Sequence, residues 1–238
     1  MSEIRPGAIV GRAFQIYRDQ AATLLPAALL VYAVQLLAAL LVPNFFVLAA
    51  IVGIVVGVFY QGMVVNLVAD VQDGRRDHSL GELFKSVGPV VLPLIGLAIV
   101  AGIAIAIGFV LIIIPGLILL TWWAVAAPVM VVEHPGVFRA LGRSRDLVRG
   151  DGWNVFGIIV LVVLINLAIN LVAAIIAAPL SDAAGAVVSW IGTTLAAPIL
   201  ALASAVLYFA LRAAKEQAAP AAEPPAPSPF GSETQPGI

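Results

Sequence analysis

The sequence contains no cysteine and only two histidines, which limits the chemistry available to the chain. Without cysteine it forms no disulfide and no thiolate metal site. His78 and His134 are far apart in sequence, and no spacing of His or Glu resembles a zinc site. Glycine-rich nucleotide loops and the G-x-S-x-G nucleophile motif are also missing. We therefore expect no cofactor and no enzymatic activity.

Charge is scarce as well, because only 11% of the 238 residues are charged whereas 62% are hydrophobic. Soluble domains carry about a quarter charged residues. A water-soluble chain of this length could not bury so much apolar surface in one core, so the composition indicates a membrane protein. The net charge of −1 gives no indication of nucleic-acid binding, and none is expected.

The sequence contains several long apolar runs. A helix that crosses a bilayer needs about 20 mostly apolar residues. Six segments qualify, at residues 22–42, 46–69, 89–111, 115–133, 154–178 and 186–211. Turn residues pair them into three hairpins, with tips at Pro43-Asn44, Pro115-Gly116 and residues 178–185. Barrel strands would instead alternate polar and apolar residues over about ten positions.

The basic residues are distributed asymmetrically. All 12 Lys and Arg lie before the first span, between the second and third, between the fourth and fifth, or after the sixth, and none lies in a hairpin tip. Basic residues close to membrane spans remain on the cytoplasmic side. The pattern therefore predicts a multi-pass protein of the cell (inner) membrane with both termini in the cytoplasm.

A short charged segment with apolar residues at helical spacing precedes each hairpin. These apolar stripes are Val10, Ala13, Phe14 and Tyr17; Leu80, Leu83, Phe84 and Val87; and Val137, Ala140, Leu141 and Val148. Such segments are typical of helices that lie in the headgroup region with the apolar face toward lipid. The expected fold is all-α, a polytopic bundle of six transmembrane helices in three hairpins, each preceded by a cytoplasmic interfacial helix.

Two domains of unequal size are predicted from this pattern. Residues 1–216 form the six-span membrane domain. Residues 217–238 hold six prolines and few large apolar side chains, so we expect a disordered Pro/Ala-rich cytoplasmic tail. Within the domain, the stretches 60–64, 126–130 and 196–200 carry a glycine or proline at matching places in the second span of each hairpin, which predicts a locally loosened backbone.

The densest cluster of charge is the run EHPGVFRALGRSRDLVRGDGW at residues 133–153. On a helix, Asp146 is three residues from both Arg143 and Arg149, so these charges are expected to neutralise one another. That arrangement leaves Arg139 and Arg145 to meet lipid phosphates. Each basic residue near an anionic leaflet contributes about 1 kcal/mol. Arg139, Arg143, Arg145 and Arg149 are the candidate headgroup-binding residues, and anionic lipids of the cytoplasmic leaflet are the expected partners.

Polar side chains within the spans are few and uncharged. Gln35 lies in the first span, and Asn166 and Asn170 lie four residues apart on one face of the fifth. Side-chain amides in membrane helices hydrogen-bond between helices. They also suit a path for a solute, and both interpretations stay open.

Small residues at four-residue spacing predict close helix packing. Gly53 and Gly57 form a G-x-x-x-G pair, and Ala98, Gly102 and Ala106 repeat along the third span. Such stripes let helix backbones approach closely. They serve packing within the chain, or contact with a second copy or with another membrane protein.

The arginine run also resembles a known family. An acidic residue closes a span, RALGRSRDLVRGDGW follows at 139–153, and Pro115-Gly116 opens the fourth span. This pattern resembles the membrane domain attached to some bacterial glycerophosphoryl diester phosphodiesterases, which related stand-alone inner-membrane proteins of unknown function share. The resemblance covers roughly residues 5–215 and implies a multi-span helical module. It implies no activity here, because the catalytic domain would be a separate soluble barrel.

These observations lead to two functional hypotheses. The first is a non-enzymatic scaffold or lipid-contacting module linked to phospholipid or envelope handling. The alternative is a transporter or channel for a neutral or phosphate-bearing solute, lined by Gln35, Asn166 and Asn170.

The orientation can be tested by labelling, since the parent chain has no cysteine to give background. We expect Asp182→Cys, in a hairpin tip, to react with a membrane-impermeant thiol reagent added to intact cells. Arg75→Cys should react only after the cells are opened, because basic residues stay cytoplasmic. The opposite pattern of labelling would contradict the predicted topology.

Overall fold

The computed structural model of the chain describes residues 5–41, 46–73 and 80–218, and in this part it is α-helical without strands. The helices, numbered along the chain, are α1 (Pro6–Asp19), α2 (Ala21–Leu41), α3 (Phe46–Gln72), α4 (Leu80–Leu111), α5 (Ile113–Trp122), α6 (Ala126–Glu133), α7 (Val137–Val148), α8 (Gly152–Ala177) and α9 (Asp182–Ala218). The predicted all-α fold is confirmed.

Within the described residues, six stretches are long and apolar enough to cross a membrane, as predicted. They are Ala21–Ala38, Ile51–Gln72, Phe84–Leu111, Ile113–Glu133, Gly152–Ala177 and Asp182–Ala218. The fourth combines α5 and α6, whereas each of the others lies in one helix. The predicted turn at Pro43-Asn44, together with Arg75, His78 and residues 219–238 of the predicted tail, lies outside the described residues.

The last helix, α9, forms the centre of the bundle. It packs against α1, α2, α3 and α8, and two-thirds of its span (67%) is buried. Tyr208, Leu202 and Leu211 on this helix are completely buried. By contrast, only 17% of the α4 and α8 spans is buried, so these two helices present most of their apolar surface outward. In a lipid environment an outward apolar surface is stable, so α4 and α8 need no further cover by protein.

The predicted interfacial segments are arranged in a different way. In α1, the residues Ile9, Val10, Ala13 and Ile16 are buried against α8 and α9 while Arg12 is exposed, so its apolar stripe faces the protein. The second segment is not a separate helix, because α4 runs without interruption from Leu80 to Leu111. Among the described helices, α7 is the one flanked on both sides by glycines with positive φ, Gly136 at 86° and Gly150 at 103°. Glycine adopts this conformation without steric cost, which allows the chain to turn at both ends.

Loosening at matching places in the three hairpins is found only in the fourth span. There, residues 123–125 separate α5 from α6, and Pro128 lies in the first turn of α6. The prediction is wrong for the second and sixth spans, since α3 continues through 60–64 and α9 continues through Pro198. A proline removes one hydrogen bond and crowds the preceding turn. In α9 the many contacts of the central helix maintain the helix around it.

The turn between α4 and α5 depends on two glycines that pack backbone against backbone. A Cβ atom at Gly108 would lie 3.0 Å from both the N and Cα atoms of Gly116. At Gly102, which was expected to permit close packing, an added Cβ would meet nothing within 4 Å. The close backbone approach on α4 is therefore at Gly108, six residues after Gly102 and outside the predicted stripe.

Gly108 and Gly102 of α4 form a matched pair for mutation. We expect Gly108→Ala to destabilise the fold by about 1–3 kcal/mol, because the clash is with backbone, which cannot rotate away. Gly102→Ala should be neutral or stabilising, since alanine is the better helix former by about 1 kcal/mol. Helix loss on titration with a denaturing detergent, followed by circular dichroism, measures both. Equal stability of the two variants would contradict the close approach at Gly108.

Candidate functional site

The arginine run folds as α7, and its apolar stripe holds it against the rest of the bundle. Between α6 and α7 the chain reverses at His134, whose φ of 50° is left-handed, and at Gly136. The buried residues of α7 are Ala140, Leu141, Ser144, Leu147 and Val148. They face α4, α5, α6 and α9. The apolar stripe is therefore occupied by the protein itself and is not left for lipid.

A buried serine explains why a polar residue lies within this stripe. Ser144 is completely buried, and its hydroxyl donates a hydrogen bond of 2.8 Å to the carbonyl oxygen of Trp122. Trp122 is the last residue of α5, so its carbonyl lies where the fourth span is interrupted. A buried acceptor without a partner would be costly. Ser144 thus compensates for the break and fixes α7 beside it; sequence analysis did not identify this role.

Glu133 connects three helices through its carboxylate. Arg143 Nε donates to Glu133 Oε2 at 3.1 Å and to Oε1 at 3.3 Å, and the Tyr208 hydroxyl donates to Oε1 at 2.9 Å. These contacts join the end of α6 to α7 and to the central helix α9. The predicted neutralisation by Asp146 is wrong: among the described residues, Asp146 is not within ion-pair distance of Arg143 or Arg149. Arg143 reaches across the turn to Glu133 instead.

Arg145 also has a partner that the sequence did not reveal. Its guanidinium carbon lies 4.3 Å from the centre of the Trp122 ring, within the range of a cation–π contact. The expectation that Arg145 is free is therefore corrected, although its side chain remains exposed. Arg139 is exposed and, within the described part of the chain, forms no ion pair. Arg149 is exposed, and its carbonyl oxygen accepts a hydrogen bond of 2.6 Å from Lys215 Nζ.

Together these side chains form one surface. We call the exposed side of α7 that carries Arg139, Arg143, Arg145 and Arg149 the arginine face. Two large aromatic residues lie beside it in sequence and are strongly exposed, Phe138 at 78% and Trp153 at 85%. Exposed tryptophan is typical of the membrane–water interface, where its ring contacts both apolar and polar groups. A cationic helix face with flanking exposed aromatics is suited to contact with lipid headgroups.

The three predicted intramembrane polar residues are not brought together. Asn166 donates to the carbonyl of Val162 at 3.1 Å, and Asn170 donates to the carbonyl of Asn166 at 2.8 Å, so both amides bond within α8. Gln35 is on α2, where its Nε2 atom lies 3.4 Å from the position of a Cβ at Gly53. Hydrogen bonds of the i to i−4 type satisfy the two asparagine amides locally. The sequence interpretation expected these amides to link helices. In the structure both bond within α8.

A different glutamine, Gln61 on α3, lines the cavities inside the bundle. One cavity of about 190 Å³ lies between α3, α4 and the break in the fourth span, and a second of about 250 Å³ lies between α2, α3 and α9. Gln61 and Val58 border both cavities. Sequence analysis noted Gln61 only as part of the stretch 60–64. Its place beside the cavities depends on how α3 is rotated, which the apolar composition of that helix does not indicate.

The acidic and histidine side chains of the described residues do not cluster into a metal site. In residues 5–41, 46–73 and 80–218, no group of three or more Asp, Glu or His side chains could hold a metal ion. The carboxylate of Glu133 is occupied by Arg143 and Tyr208, and its neighbour His134 forms part of the turn. Glu133 is thus a structural residue in this arrangement.

Comparison with known proteins identifies a similar relative. The chain is 30% identical over 165 residues to a protein of Pectobacterium carotovorum subsp. carotovorum (strain PC1) named "UPF0259 membrane protein". The match covers 69% of this chain and 64% of the length of that relative. No family model and no solved structure matches the chain, and the resemblance to phosphodiesterase membrane domains stays a prediction. The six apolar helices and this similarity together establish a multi-pass membrane protein.

Proposed function

We propose that the chain is a non-enzymatic module of the cell membrane that binds anionic lipid headgroups with the arginine face of α7 on the cytoplasmic side. The observation that carries the proposal is the exposure of four arginines on a helix whose opposite side is buried in the bundle. An amphipathic helix that only needed to lie on lipid would have its apolar stripe available. Here the stripe is used for packing, and the outward side carries the arginines together with Asp146 and Phe138.

Fixing the helix is an advantage for headgroup binding. The Ser144–Trp122 hydrogen bond and the Glu133–Arg143 ion pair hold α7 in one position. A surface that is already ordered loses less conformational entropy when it binds. Guanidinium groups match phosphate oxygens in geometry and charge. Arg143 is partly neutralised by Glu133, so Arg139, Arg145 and Arg149 are expected to supply most of the attraction.

The basic side of the protein is consistent with this role. Arg18 in the last turn of α1 and Lys215 near the end of α9 lie at helix ends that are expected on the same side as α7, and Arg12 lies in the middle of α1. Lys215 contacts the carbonyl of Arg149 directly, which brings the end of α9 next to the arginine face. Lys215 therefore adds one positive charge beside the arginine face, as an anionic leaflet would favour.

The first test removes two arginines of the face. We expect Arg139→Gln with Arg145→Gln to weaken binding of phosphatidylglycerol about 30-fold at low salt, because two basic residues contribute about 2 kcal/mol. Native mass spectrometry of the protein titrated with this lipid in detergent measures the loss. Arg12→Gln with Arg18→Gln is the control of equal charge, and it should cause a smaller change.

The control makes the outcomes informative. Unchanged binding in the α7 variant would refute headgroup recognition by this face. Equal losses in the two variants would show that diffuse basic charge attracts the lipid, and the specific role of α7 would then be wrong.

The alternative function, solute passage along Asn166 and Asn170, can be tested on the same preparation. Both amides bond to carbonyls of α8 itself, and Asn170 is exposed. We therefore expect Asn166→Leu with Asn170→Leu to leave detergent stability and lipid binding within about twofold of the parent, since no bond between helices is lost. A loss of bundle stability measured by circular dichroism would contradict this expectation. So would a loss of any solute flux that the parent protein shows in reconstituted vesicles.

A further inference from the structure

The break in the fourth span borders a cavity near the middle of that span. The cavity of about 190 Å³, here called the break cavity, is lined by Val58 and Gln61 of α3, by Leu94, Leu97, Ala98 and Ala101 of α4, and by Trp123, Ala124, Ala126 and Ala127. No charged side chain contributes to this lining. The break cavity is separate from the arginine face, so a role for the cavity is independent of headgroup binding.

Two backbone groups at the break have no backbone partner among the described residues. In a continuous helix the carbonyl of Ala124 would accept from the N–H of residue 128, but that residue is Pro128, which has none. Among the described residues, no backbone hydrogen bond uses the carbonyl of Ala124 or the N–H of Val125. Val125 is the N-cap residue of α6, and its apolar side chain makes no cap hydrogen bond to the first N–H groups of that helix. Hydrocarbon cannot satisfy such groups, so irregular backbone at this depth is tolerated only when it is buried in protein or faces a water-filled cavity.

Gln61 supplies further hydrogen-bonding capacity at the same place. Its Nε2 atom donates to the Ser204 hydroxyl at 3.3 Å, which is a long bond. A side-chain amide has two N–H donors and a carbonyl that accepts twice. Among the described residues, the second N–H and the carbonyl of Gln61 have no other partner, and Gln61 lines the break cavity. Ala124, which also lines the cavity, adds its backbone carbonyl as a further acceptor, and the lining carries no charged side chain.

We propose that the break cavity is a hydrated binding site for a small uncharged molecule that both donates and accepts hydrogen bonds. Water is the occupant in the resting protein. The volume is sufficient for several water molecules, and the polar groups supply the two to four partners that a buried water requires. The absence of charge in the lining disfavours ions. Half-unwound helices with free backbone groups form solute sites in other membrane proteins by the same physics.

Cysteine reactivity tests whether the cavity contains water. Ala98 lines the break cavity, and its neighbour Ile99 is 50% exposed on the outside of α4 at nearly the same height. A thiol reacts as the thiolate, which forms in water and not in hydrocarbon. In proteoliposomes we expect Ala98→Cys to react with 2-aminoethyl methanethiosulfonate at least about tenfold faster than Ile99→Cys. Ala101→Cys, which also lines the cavity, is the second reporter if Ala98→Cys does not fold.

The role of Gln61 is tested in the Ala98→Cys background. Gln61→Leu should slow the reaction about fivefold or more, because it removes the polar group that holds water in an otherwise apolar lining. Ser204→Ala, which removes only the partner of Gln61, should retain the faster rate. Ethylene glycol, small and uncharged, should slow labelling of Ala98→Cys by competing for the site, whereas sucrose at equal osmolality should not.

Each result decides one part of the proposal. A reaction of the cavity reporters no faster than that of Ile99→Cys would show that the cavity is dry, and the proposal would be wrong. An unchanged rate of Ala98→Cys labelling in the Gln61→Leu variant would show that the amide does not hold the water, and its part in the site would be wrong. Equal effects of ethylene glycol and sucrose would exclude a solute site and refute the ligand class. None of these measurements involves the arginines, so failure here is distinguishable from failure of headgroup binding.

Discussion

The structure depends on one constraint: hydrocarbon offers no hydrogen-bond partner to the backbone. Helices satisfy this constraint within each segment, and the described spans are accordingly helical. The constraint also explains the exception in the fourth span. Where the helix is interrupted at residues 123–125, the Ser144 hydroxyl donates a hydrogen bond to the Trp122 carbonyl. A cavity lined by Gln61 lies beside Trp123 and Ala124. The break in the helix and the hydrogen bond that satisfies its free carbonyl thus lie at the same place.

The same compensation determines how the charges of α7 are presented. Because α7 is fixed at Trp122 and at Glu133, its apolar side is turned inward and its arginines are turned outward. Glu133 lies at the end of the fourth span and is held by both α7 and the central helix α9. A carboxylate at the end of a span is stabilised when an arginine pairs with it and a tyrosine hydroxyl donates a hydrogen bond to it. The ion pair therefore contributes to the architecture, and the other arginines of α7 remain exposed.

The two proposed activities belong to different regions of the molecule. The arginine face is an outer surface of fixed charge, whereas the break cavity is an inner site without charge. Trp122 and Trp123 lie between them, since Trp122 contacts Arg145 and Ser144 while Trp123 lines the cavity. One short segment of chain thus connects the arginine face to the break cavity. The name of the similar Pectobacterium protein states a membrane protein and no activity, which leaves both activities as proposals.

The sequence by itself determined the class, the six spans and the amphipathic pattern of α7, because hydropathy and helical spacing are local properties of a chain. It also identified the four arginines as a cluster. Only the tertiary structure decided that Arg143 pairs with Glu133, that Arg145 stacks on Trp122, and that Gln61, rather than Asn166 or Asn170, borders the cavities. The reason is physical: a span that is apolar all round carries no sign of which face meets protein and which meets lipid. Packing alone sets that rotation.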